Sequence, residues 1–263
     1  MEYDIIDFHT HPYLSEDHCI CRYGNISGLS PLQCAEKVRE DMERAGVRRF
    51  CGSVIASNRM AWTGEFSFLK ELNRSALRLR EILGDRYTPG FHIHPWFVEE
   101  SIKEIEYMAA QGVRLIGELV PYAQGGYAYG DPGMDEILKA AARYKMTVSF
   151  HSTDDDDADE MVKGHPEIGF VAAHPGEHNR VMRHAERLRR YPNYYLDLSG
   201  TGLARLGVAR YLADQAGADR IVFGSDYPIN NPRMYVQGVF FEEFTEEERE
   251  KIFHGNAKRL LNL

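Results

Sequence analysis

Residues 30–56 read SPLQCAEKVREDMERAGVRRFCGSVIA, a helix marked at both ends and followed at once by an apolar strand. Ser30 can cap the helix, Pro31 suits its first position, Gln33 completes a capping box, and Gly46 supplies the residue past its end. RFCGSVIA then changes the pattern to β-branched and aromatic residues. The same unit recurs. DIIDFHTH precedes it, and YTPGFHIHP, VRLIGELV, MTVSFHS, IGFVAAHP, YYLDLSG and RIVFGSDYP follow, each separated by a segment long enough for a helix. Near the end, Thr245 and Glu248 form a second capping-box pattern ahead of EREKIFHGNAKRLLNL. Parallel strands need crossover helices, and eight such units close on themselves, so the alternation predicts an α/β fold: a single (β/α)8 TIM barrel spanning 1–263. An open doubly wound sheet is the rival, but no Gly-rich phosphate turn follows DFHTHP.

The chain has 263 residues, of which 43% are hydrophobic, enough for a substantial core. No apolar stretch approaches a membrane span of roughly 18 residues, and MEYDIIDFHTHP lacks the basic and apolar regions of a signal peptide. A cytoplasmic protein is expected. Cys19, Cys21, Cys34 and Cys51 cluster in the first fifth of the chain and read as reduced thiols; Cys19 and Cys21 miss the C-x-x-C spacing of a metal site. A net charge of −9 disfavours nucleic acid and anionic membranes as partners. The one basic run, RVMRHAERLRRY (180–191), places Val181, Ala185 and Leu188 at helical spacing and reads as a solvated amphipathic helix.

The ends of the strands carry the chemistry. His9 and His11 share one face of an extended strand, because residues two apart point the same way. His92 and His94, Glu118, His151, His174 and Asp226 also fall where apolar strands stop, and in a barrel those ends converge on one mouth. Neutral imidazoles and carboxylates suit Zn²⁺ first, with Mn²⁺, Fe²⁺ or Co²⁺ as alternatives. His9, His11, Glu118, His151, His174 and Asp226 provide enough ligands for two ions sharing Glu118, or for one ion with the remaining residues as acid and base.

In order along the chain, DFHTHP, GFHIHPW, IGELVPY, VSFHST, VAAHPG, YLDLSG, FGSDYP and GNAKRLL resemble the metal-dependent amidohydrolase superfamily, most closely its amidohydrolase-related branch and second its TatD-like branch. The resemblance implies His9 and His11 as ligands of one metal, His151 and His174 as ligands or partners at a second position, and Asp226 as ligand and catalytic base; Asp226 and His174 are the expected catalytic residues. Glu118 stands where some members use a modified lysine, and IGELV contains no lysine. A two-metal site would therefore rest on Glu118. The leading expectation is a hydrolase that uses metal-activated water, with Asp226 as general base, on a C–N or C–O bond (amide, ester or lactone) of a small molecule. The alternatives are non-oxidative decarboxylation of an aromatic or unsaturated acid, and TatD-like phosphodiester cleavage. A binding protein that merely keeps the cleft is a fourth.

His94, His92, Trp96, Tyr122 and His178 are the expected substrate contacts, although His94 could equally pack beneath Trp96. Asp197 and Ser199 are candidates for hydrogen bonds behind a ligand. The loop YAQGGYAYGDPG (122–133) reads as a substrate wall or lid, or as a contact to a second subunit in a possible homo-oligomer. The acidic run STDDDDADEM (152–161) reads as a first helical turn favoured by the macrodipole.

Overall fold

The computed structural model describes residues 3–21, 26–56, 62–152 and 156–263. Its strands are β1 (Ile5–Asp7), β2 (Val47–Gly52), β3 (Tyr87–Phe91), β4 (Leu115–Leu119), β5 (Thr147–His151), β6 (Gly169–Ala173), β7 (Tyr194–Asp197) and β8 (Ile221–Val222). They stand side by side in chain order, each parallel to the next. The ends of the sheet then meet. Phe8 N donates to Phe223 O at 2.8 Å, Asp226 N to His9 O at 2.8 Å and His11 N to Tyr227 O at 2.7 Å, closing the barrel above β8.

Helices α1 (Pro31–Ala45), α2 (Phe66–Leu83), α3 (Val98–Ala110), α4 (Pro132–Arg143), α5 (Asp157–Gly164), α6 (His178–Arg190) and α7 (Val208–Ala216) occupy the seven crossovers, and α8 (Pro232–Phe241) follows β8. Both predicted capping boxes form. Gln33 N donates to Ser30 Oγ at 3.4 Å and Ser30 N to Gln33 Oε1 at 2.9 Å, while Gly46 ends the helix at φ 85°. Thr245 and Glu248 repeat the arrangement at the start of α9 (Glu246–Glu250).

The expected helix after Thr245 is broken by a widened turn at Lys251–Gly255, before α10 (Asn256–Leu261). Widening frees a carbonyl from the helical ladder. Ile252 O accepts from Phe223 N at 2.9 Å, and Asn256 Nδ2 donates to Ala218 O at 2.7 Å and Ile221 O at 2.8 Å. This stitches α10 to the N-terminal end of β8. Ala257 and Leu261 join Ile6, Phe8, Cys51, Leu115, Val171 and Val222 in one buried cluster, drawn from opposite sides of the barrel. Leu260 O accepts from Thr147 Oγ1 at the first residue of β5, so α10 forms the barrel floor. The larger core lies between strands and helices.

One reading of the surface needs correction, and a second holds with an addition. Arg187 in α6 is not solvated: it is 2% exposed and paired with Asp159 of α5, Nε to Oδ1 and Nη2 to Oδ2 both at 3.1 Å. The acidic run therefore supplies a buried partner as well as a helical first turn, whose acids are Asp157, Asp159 and Glu160; its residues 153–155 lie outside the described ones. No disulfide links Cys19, Cys21, Cys34 and Cys51 among the described residues. No helix of the described residues is long and apolar enough to cross a membrane.

Candidate metal centre

At the strand ends opposite α10, six of the predicted residues meet. Glycine makes the approach possible on the β1 side: Gly52 has φ 147°, and a Cβ there would lie 1.8 Å from Thr10 O. The β1 extension can thus cross β2 closely enough to bring His9 and His11 inward. Their Nε2 atoms are 3.2 Å apart. Glu118 Oε2 lies 3.6 Å from His9 Nε2 and 3.5 Å from His11 Nε2, and Asp226 Oδ1 is 3.6 Å from both.

The partners on the far side of each ring fix what these atoms present. His11 Nδ1 lies 3.1 Å from Ser53 O, which can only accept, so Nδ1 carries the proton. His9 Nδ1 donates to Asp197 Oδ2 at 2.8 Å. With Nδ1 engaged in this way, each ring turns its Nε2 toward the two carboxylates, the atom that would ligate a metal. Two imidazole nitrogens and two carboxylate oxygens gathered in a buried site form a candidate cation site. Separations of 3.2–3.6 Å suit donor atoms that share one ion through bonds of about 2.0–2.2 Å. The residues present thus fit a divalent metal.

Glu118 reaches in two directions. Its Oε1 is 3.0 Å from His151 Nδ1 and 3.7 Å from His174 Nε2, on the side away from His11. Three groups arrange His174. Its Nδ1 donates to Ser199 Oγ at 2.9 Å, and the Ser199 hydroxyl in turn donates to Asp197 Oδ1. Its carbonyl accepts from Ser152 Oγ at 3.0 Å. Asp197 therefore orients His9 directly and His174 through Ser199, which places the expected supporting hydrogen bonds. His174 and Asp226 both have left-handed backbones, φ 63° and 64°, an unusual conformation for residues with a Cβ. Gly200 packs against His174, where a Cβ would sit 2.8 Å from Nδ1.

The electrostatics of the site favour positive charge among its carboxylates. Burial alone would lower the His9 pKa, but Asp197 and Glu118 outweigh it and raise the pKa well above the ordinary range. Burial pushes Glu118 upward, yet His9, His11 and His151 hold it well below the usual carboxylate range. Burial lowers His174 and takes His92 down to about 4, so His92 is neutral near pH 7.

Beside the cluster lies a cavity lined on its polar side by His11, Glu118, His151 and His174. Ile55, Trp62, Phe68, Leu72 and Val120 give it apolar walls. His9 and Asp226 stand behind that lining. Of the expected substrate contacts, His92 and Tyr122 reach the cavity. His94 does not: it is buried, stacked on Trp62 at 4.8 Å, with Nε2 donating to Gln124 O and Nδ1 accepting from Trp96 N. With both nitrogens occupied, it braces the loop after β4. Trp96 is 56% exposed and donates to Asp131, and His178 is an exposed first residue of α6; neither lines the cavity. The loop 122–133 divides its tyrosines, Tyr122 on the cavity and Tyr127 and Tyr129 in the core. Gln124, which also lines the cavity, was not expected from sequence.

The profile of the amidohydrolase family Amidohydro_2 matches residues 6–263. The chain belongs to the amidohydrolase family. Among solved structures it is similar to 5-carboxyvanillate decarboxylase LigW from Sphingomonas paucimobilis, at 16% identity and a TM-score of 0.75, covering 98% of this chain and 99% of that one. An uncharacterised TIM-barrel protein from Bordetella bronchiseptica matches at 20% identity and a TM-score of 0.77, covering 98% of each chain. The 5-carboxyvanillate decarboxylase from Novosphingobium aromaticivorans, complexed with manganese and 4-hydroxy-3-methoxy-5-nitrobenzoic acid, matches at 14% identity and a TM-score of 0.72, covering 99% of this chain and 96% of that one. At these identities the likeness establishes the barrel. No curated protein sequence matches the chain.

Proposed function

We propose that this amidohydrolase-family member is a divalent-metal-dependent enzyme that releases carbon dioxide from a small aromatic or unsaturated carboxylic acid. The observation that carries the reading is one cavity lined both by members of the ligand cluster and by Ile55, Trp62, Phe68, Leu72 and Val120. A flat ring suits such walls, while its carboxylate suits the cluster. The names of the structural neighbours, decarboxylases of aromatic acids, support the same order of readings. Decarboxylation thus moves ahead of the hydrolysis favoured by sequence, and manganese, bound by one of those neighbours, joins zinc as a first candidate.

His9, His11 and Asp226 would hold the ion, with Glu118, whose Oε2 lies 3.6 and 3.5 Å from the two imidazoles, beside them. When bound, it supplies positive charge that fixes and polarises oxygen atoms of the acid. The apolar residues hold the ring and exclude water from the reacting carbon. In the reaction the bond from that carbon to the carboxyl group breaks, the electron pair stays on the carbon, and a proton replaces the lost group. The Asp226 carboxyl is the proton carrier of this scheme. His174, held by Ser199 and Ser152, keeps its Nε2 on the Glu118 side of the cavity.

A specific feature favours hydrolysis as the second reading. Glu118 turns one oxygen to His9 and His11 and the other to His151 and His174, as a carboxylate shared by two ions does. There Asp226 would take a proton from attacking water. The test is to load the protein with manganese or zinc and supply hydroxybenzoates, lactones and esters in ¹⁸O-labelled water. We expect stoichiometric carbon dioxide with no label in the organic product, and a loss of about 10²–10⁴-fold in rate for Asp226→Asn. Label entering the product without carbon dioxide would replace decarboxylation by hydrolysis.

A further inference from the structure

The cavity holds a polar group that neither scheme uses. Gln124 lies in the loop after β4, 6% exposed, and lines the cavity alongside His92. Its neighbours decide which way its amide faces. Val54 O lies 2.8 Å from His92 Nε2 and can only accept, so the single proton of neutral His92 sits on Nε2. The other ring nitrogen is then a lone pair. Gln124 Nε2 stands 3.2 Å from it and donates to it. This commits the amide nitrogen and turns the amide oxygen elsewhere. Gln124 Oε1 is buried and has no hydrogen-bond partner among the described residues. Reversing the amide would set an oxygen against the His92 lone pair, so rotation offers no relief. A buried acceptor without a donor is unfavourable, and a ligand that brings the donor removes that deficit.

We infer that Gln124 is a specificity-determining residue whose Oε1 accepts a hydrogen bond from a hydroxyl or amino substituent of the substrate. The inference rests on the reading of the site as one for aromatic or unsaturated acids. It narrows that class to acids bearing a donor group besides the carboxylate. A site built around such an acceptor discriminates by what it leaves unpaired: an analogue lacking the donor buries Oε1 with nothing to bond. Fluorine in place of hydroxyl removes the donor at similar size.

The experiment is a calorimetric titration of the manganese-loaded protein with meta- and para-hydroxybenzoate and with their fluoro counterparts. We expect at least one hydroxy acid to bind about tenfold more tightly than its fluoro partner, as one buried hydrogen bond implies. Gln124→Met keeps the bulk and removes the acceptor; it should abolish that difference while the manganese bound per chain stays unchanged. If Q124M does not fold, Gln124→Asn, which withdraws the oxygen by one methylene, serves the same comparison. Equal binding of hydroxy and fluoro acids by the unmodified protein overturns the inference and leaves the decarboxylase reading standing. A hydroxyl preference that survives in both variants also overturns it, because the donor is then read elsewhere. Failure of every benzoate to bind overturns the reading of the site, and the inference falls with it.

Discussion

Asp197 shows how a residue that touches no metal can set the geometry of a site. It accepts from His9 Nδ1 at 2.8 Å and, through Ser199, holds His174. Asp197→Asn places an amide where both rings expect a charge, and we expect metal affinity to fall about 10–100-fold, the usual effect of losing such a partner. A competition titration with a chelating dye measures it; unchanged affinity would mean that His9 is oriented by something other than Asp197. At this scale the sequence was readable where chemistry and position coincide. His9, His11, Glu118, His151, His174 and Asp226 each end an apolar strand, and the structure gathers all six. It was opaque where the backbone does the work. Nothing in the letters tells that Ser53 and Val54 use their carbonyls to fix two histidine tautomers, or that His174 and Asp226 take left-handed backbones. Gln124 was missed for the same reason, since its role depends on a tautomer set by a residue 70 positions away.

Among the elements, ends were more legible than faces. The capping boxes at Ser30 and Thr245 follow from local hydrogen bonding, which sequence spacing encodes directly. The buried pair between α5 and α6 does not, because Arg187 looks like its exposed neighbours until Asp159 is brought against it. Arg183 shares Asp159 at 2.6 Å, and the Tyr194 hydroxyl bonds His184 Nδ1 at 2.7 Å, so the two helices and β7 meet over polar groups. Removing one partner strands the other. Asp159→Ala should destabilise the fold by about 3–5 kcal/mol, whereas the double change Asp159→Leu with Arg187→Met should cost far less, because no unpaired charge stays buried. Urea unfolding of the three proteins decides this; a double variant as unstable as the single would show that the loss comes from packing.

For the whole molecule, alternation was enough to give the barrel, its strand order and the end that carries the site. The floor was not foreseen, because the widened turn at Lys251–Gly255 has no periodic signature and exists to meet β8. Floor and site lie at opposite ends, which separates stability from chemistry. Leu261→Ala should cost about 2–5 kcal/mol by opening a space among Ile6, Leu115, Val171 and Val222, yet leave metal content and cavity binding intact. Loss of metal in that variant, measured under conditions where it remains folded, would show that the two ends are coupled. The seam that closes the barrel has a consequence for biosynthesis. Asp7 Oδ1 accepts from Ser225 N across 218 positions, and Asp226 reaches His9 by the same seam. A nascent chain that has exposed β7 but still holds β8 in the ribosomal tunnel has His9, His11, Glu118, His151 and His174 in hand without Asp226. On the proposed reading of the site, metal capture would follow passage of translation beyond β8, and a ribosome-stalled chain ending before Ser225 should hold manganese or zinc far more weakly than the released protein.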